Sequence, residues 1–164
     1  MTGALVFWKM AHILSATILF GTGLGIAFFC WFGYRCALRS GEISVLRTTL
    51  RLSVIADACF TAPAVLFQAV SGLVLMNMLG WSLVSPWSVA VICLFVLIGV
   101  CWLPVVVIQV RLSREAERAT SLDILPARFH RWFRWWFALG IPAFAAVLVI
   151  FYLMVAKPLA ISGA

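Results

Sequence analysis

Residues 35–51 read RCALRSGEISVLRTTLR, and residues 111–134 read RLSREAERATSLDILPARFHRWFR. These two stretches hold ten of the twelve basic residues of the 164-residue chain, and each joins two long apolar runs. Arg35, Arg39, Arg47 and Arg51 stand between the first and second runs. Arg111, Arg114, Arg118, Arg128, Arg131 and Arg134 stand between the third and fourth. The connection from Gly80 to Trp87 carries no charge. Short cytoplasmic loops of membrane proteins collect Lys and Arg. Both arginine loops are therefore expected in the cytoplasm, and both termini outside.

Composition agrees. The chain is 65% hydrophobic and 10% charged, against roughly 25% charged in a soluble domain. The formal charge of +7 is not read as a nucleic-acid surface, because the arginines border apolar runs rather than cover a polar face. Their expected partner is the anionic headgroup layer of the cytoplasmic leaflet. The first run is too long for a signal h-region and has no basic segment before it, so it is expected to be a retained span.

A span needs ~20 apolar residues. Four segments meet this, at about 5–34, 52–79, 87–110 and 132–156. The predicted fold is all-α: one domain over residues 1–164, a bundle of four transmembrane helices in a bacterial cytoplasmic (inner) membrane. Trp8, Tyr34, Trp81, Trp87, Trp132, Trp135, Trp136 and Tyr152 mark the run ends as an interfacial belt. Lys9 and Lys157 are placed to snorkel at the outer ends. Helical spacing of Ile43, Leu46 and Leu50 extends the second helix into the cytoplasm, and Arg111, Arg114 and Arg118 extend the third. Pro126 opens the fourth, with Asp123 or Ser121 as a candidate cap of the turn before it. Pro63, Pro104 and Pro142 fall inside spans and are expected to kink them. The cysteines (Cys30, Cys36, Cys59, Cys93, Cys101) form no C-x-x-C pair and read as small, reduced, mostly buried hydrophobes.

Polar residues inside spans are costly and point to function or to a helix contact. His12 lies about a turn below the outer interface. A neutral imidazole there can ligate heme iron or copper, relay a proton, or simply bond a neighbouring helix. His130 sits at the opposite end, about 30 Å away at ~1.5 Å per residue, so one metal cannot take both. Met76 and Met154 are expected near the depth of His12. Thioether and imidazole together suit copper(I), while methionine also serves as a gap filler. Asp57 is the one acid inside a span, with Arg51, Arg111 or Arg134 as candidate partners. Gly21 and Gly25 form a G-x-x-x-G that permits close helix packing or the flat face of a cofactor. No serine–histidine–acid set, phosphate loop, H-E-x-x-H or zinc–cysteine motif is present, so hydrolase and nucleotide chemistry have no support.

Trp8-Lys9-Met10-Ala11-His12-Ile13-Leu14, followed by Phe20-Gly21-Thr22-Gly23-Leu24-Gly25, resembles the opening helix of a bacterial family of four-span predicted integral membrane proteins. The likeness covers nearly the whole chain. That family is similar, distantly, to the copper-resistance protein D membrane domain and to the heme-containing membrane protoporphyrinogen oxidase. The shared feature is a histidine early in a helix, followed by glycines, and His12 corresponds to it. The oxidase follows its histidine with Pro-Arg near the helix end, whereas this chain has Ala27-Phe28-Phe29-Cys30 there. The resemblance implies heme or copper binding at His12, and the first reading is heme b on His12 with electron transfer to or from a membrane redox partner. The alternatives are copper handling at the outer face by His12, Met76 and Met154, or a cofactor-free accessory subunit or scaffold, with homo-oligomerisation open to each.

Overall fold

Four helices account for nearly all of residues 3–156, the part of the chain that the computed structural model describes. They are α1 (Gly3–Ser40), α2 (Ile43–Met78), α3 (Pro86–Arg118) and α4 (Ala127–Ala156), each long and apolar enough to cross a membrane. This is an all-helical integral membrane protein. Lys157 lies outside the described residues.

Both arginine loops are largely helix. Only Gly41 and Glu42 separate α1 from α2. Gly41 has φ 75°, and its N–H returns to the Ala37 carbonyl at 2.9 Å, the left-handed closure that glycine adopts without a Cβ penalty. The link from α3 to α4 contains a single 3₁₀ turn, Leu122–Ile124. Ser121 precedes this turn without a side-chain cap hydrogen bond, and α4 begins after it. The backbone of Pro126 closes the first turn of α4, accepting from the Phe129 N–H at 2.8 Å. At the other end, Ser85 caps α3 by accepting from the Ser88 N–H at 3.2 Å.

The helices pack in chain order, α1 on α2, α2 on α3 and α3 on α4. Contact of α1 with α4 is mainly aromatic: Phe20 stacks on Phe144 at 4.8 Å and Tyr34 on Phe133 at 4.2 Å. The densest core lies towards the arginine-rich end, where Leu46, Leu50, Leu112, Phe129 and Phe133 are buried. Elsewhere the outward faces stay apolar, with Leu66 70% and Val100 63% exposed, as a lipid-facing surface requires.

The prolines behave differently from one another. Helices α3 and α4 continue through Pro104 and Pro142. Before Pro63 the hydrogen-bond ladder widens into a π turn over Asp57–Thr61, with the Ala62 N–H bonded to the Asp57 carbonyl. Pro63 has no N–H to give Cys59 in an α ladder, and one added residue per turn absorbs the mismatch. The turn brings Asp57 and Thr61 to the buried face together.

Two expectations need correction. Among the described residues nothing approaches within 4 Å of a Cβ built at Gly21 or Gly25, so the G-x-x-x-G makes no close contact with them. The tight crossing is at Gly33, where a Cβ would lie 2.7 Å from Thr49 Oγ1. Among the cysteines only Cys30 and Cys101 are buried. Cys36, Cys59 and Cys93 are exposed, and all five are free.

Candidate functional site

His12 faces the α1–α2 seam, on the same helical stripe as buried Ser15 and Ile26. Its Nδ1 lies 2.7 Å from Ser71 Oγ, and Ser71 is fully buried. The Ser71 hydroxyl also reaches its own helix, 2.6 Å from the Phe67 carbonyl oxygen. That oxygen can only accept, so it takes the single hydroxyl proton. With the hydroxyl proton directed at that oxygen, Ser71 Oγ is left to accept from His12, which puts a proton on Nδ1. In the neutral ring Nε2 keeps a free lone pair. Gln68 holds the same turn by donating Nε2–H to the His12 carbonyl at 2.7 Å. Across the seam, a Cβ added to Gly72 would stand 3.6 Å from His12 Cε1, so the imidazole lies against a helix surface cleared of side chain.

Met76 and Met154 divide on depth. The pairs His12–Ser71, Cys30–Ser53 and Gly33–Thr49 set a nearly constant antiparallel register between α1 and α2. Met76 is five residues beyond Ser71, about 7.5 Å further along the helix at ~1.5 Å per residue. The register of Tyr34–His130 and Phe20–Phe144 puts Met154 close to the level of His12 on α4. Among the described residues no hydrogen bond joins His12 to either methionine, and no three of His, Cys, Asp and Glu converge as a metal-holding group.

A cavity of about 60 Å³ lies at the centre of the bundle, one turn deeper than His12. All four helices line it, through Ala16, Gln68, Gly99, Trp102 and Phe151 among others. It is almost wholly apolar apart from the Gln68 amide. Sites for drug-sized ligands run roughly 300–1,000 Å³, so this space admits small molecules and not a porphyrin.

The second polar cluster is at the π turn. Asp57 is 7% exposed and Gln109 1%. Gln109 donates Nε2–H to Asp57 Oδ2 at 3.0 Å and accepts from Trp136 Nε1 at 2.9 Å. Thr61 and Trp102 also approach the carboxyl, but Thr61 Oγ1 and Trp102 Nε1 are buried without a hydrogen bond of good geometry. The expected arginine partner of Asp57 is corrected: its partner is the neutral amide of Gln109. The ion pair found among the described residues is Arg128–Glu115 at 2.9 Å. Gln109 was missed because it sits at the expected edge of its span, where an amide reads as interfacial. His130 is held by Tyr34, whose hydroxyl lies 2.6 Å from its Nδ1. Arg47 closes the end of α3, donating to the Ala116 and Ala119 carbonyls at 3.3 and 3.0 Å.

No curated protein and no solved structure matches this chain. A family model described as a predicted integral membrane protein (DUF2269) matches residues 6–158. That match spans the four helices and both arginine loops, and the chain belongs to this family of predicted integral membrane proteins.

Proposed function

We propose that His12 is the protein ligand of a redox-active metal centre near the uncharged end of the bundle, with heme b as the group. The observation that carries this is the Ser71 contact. It supports a proton on His12 Nδ1 and a free lone pair on Nε2, the arrangement that a buried hydrogen bond gives a metal-ligating histidine. The iron supplies one-electron chemistry when bound. The chain's part is to hold the imidazole, through Ser71 on the ring and Gln68 on the backbone. The central cavity does not fit a porphyrin, so a heme held by His12 would have to lie outside it. A copper ion on Nε2 is the second metal reading. Met154 is near enough in depth to join it, while Met76 stands more than a turn away.

A cofactor-free accessory subunit or scaffold is the reading from another class, and it draws on the same bonds. Ser71 and Gln68 together make His12 a clamp between two helices. The topology belongs to the proposal too: arginine loops in the cytoplasm, termini outside, in a bacterial inner membrane.

The separating experiment is an absorption spectrum with iron and copper analysis on protein purified from cells supplied with both. A Soret band that His12→Ala abolishes supports heme b. Copper without a Soret band supports the second reading. A colourless, metal-free wild-type protein leaves the subunit reading.

A further inference from the structure

The geometry points to a binding site for the phosphodiester headgroup of an anionic phospholipid in the cleft between α3 and α4 at the arginine-rich end. The cleft measures about 260 Å³ and is lined by Arg111, Arg114, Glu115, Arg118, Arg128 and Trp132. The first four arise from helical spacing along one face of α3, and the last two stand one turn apart on α4. Arg111 and Arg128 both lie over the Trp132 indole, with guanidinium carbons 5.8 and 5.7 Å from its centroid. Glu115 pairs with Arg128 at 2.9 Å. The lining then keeps a net charge of +3. The Arg114 and Arg118 side chains make no hydrogen bond, ion pair or ring contact among the described residues. Like charges this close on a helix repel unless an anion lies between them. A guanidinium offers two parallel N–H groups, which match the two free oxygens of a phosphodiester.

The surface below the cleft distinguishes a lipid from a soluble phosphate. Val107 and Leu103 continue the Arg111 face of α3 one and two turns deeper, and both are exposed, as is Trp135 beside Trp132 on α4. An acyl chain can follow that apolar track while the headgroup stays in the cleft. Basic pockets between membrane helices recognise headgroups in this way. The site is independent of any cofactor at His12, which lies at the other end of the bundle.

The test is native mass spectrometry of the delipidated full-length protein, titrated with phosphatidylglycerol and with phosphatidylcholine. Wild type is expected to retain phosphatidylglycerol preferentially. R114Q/R118Q removes two basic groups that hold no structural partner, and should weaken phosphatidylglycerol binding by roughly thirtyfold. R35Q/R39Q removes the same charge from the other loop and should leave binding within about twofold of wild type. Equal loss in both double variants would overturn the site, as would a wild type without headgroup preference. Displacement of the lipid by equimolar inorganic phosphate would also overturn it, since the acyl chains would then contribute nothing.

Discussion

At the scale of the residue, contact distances separate glycines and amides that sequence leaves alike. Gly21 and Gly25 carry the recognisable spacing, yet neither is approached. Gly33, unremarked in the sequence, is the crossing point with Thr49, whose Oγ1 is fixed by a 2.8 Å bond to the Val45 carbonyl. Gly33→Ala should therefore destabilise by about 1–3 kcal/mol through overpacking, while Gly21→Ala should be nearly neutral. Adding Thr49→Ala to Gly33→Ala should restore most of the loss. Unfolding in detergent, followed by helical signal, measures all three. Gln109 is a similar case. Gln109→Leu would strip Asp57 Oδ2 and Trp136 Nε1 of their partner together. Each buried orphan costs roughly 1–3 kcal/mol, so this change should exceed the cost of a typical apolar swap at the same depth. A variant as stable as wild type would show that the amide bridge is not formed. Asp57 itself was legible as the one acid in a span. Its partner was not, because which residue of α3 meets it depends on the rotation of both helices.

At the scale of the element, helices were legible where apolar length and charge decide, and their internal irregularities were not. The spans and the helical extensions into both arginine loops follow from periodicity and from the run of arginines. The π turn at Asp57–Thr61 does not, because Pro63 permits either a kink or a slipped register and only packing chooses. Arg47 also carries a role beyond charge. It donates to two carbonyls at the end of α3, where the helix leaves its acceptors unpaired. Arg47→Gln should lower stability by about 1 kcal/mol and raise amide exchange in the last turn of α3. Arg51→Gln, at the same loop without that contact, should do neither.

At the scale of the whole molecule, the ten loop arginines predict which end faces the cytoplasm. The native exposed Cys36 lies at the arginine-rich end, and Val84 at the uncharged end is 83% exposed. A membrane-impermeant maleimide on intact cells should label Val84→Cys in a Cys36→Ser background and leave native Cys36 unlabelled. Labelling of Cys36 without lysis would invert the topology. The site was only partly legible at this scale. His12 stood out as a titratable group among apolar residues, and its level relative to Met154 follows from counting. The roles of Ser71, Gln68 and Gly72 emerge only once α2 is laid against α1, since hydroxyls and glycines are common in membrane helices and carry no signal alone. The metal readings of His12 depend on which of its ring nitrogens carries the proton. The chain has two histidines, so a His130→Gln background leaves a single imidazole to observe. Nitrogen-15 NMR of that metal-free protein in lipid should find Nδ1 protonated and Nε2 bare. A proton on Nε2 would contradict the account, because Ser71 would then be the donor and the ligand lone pair would be occupied.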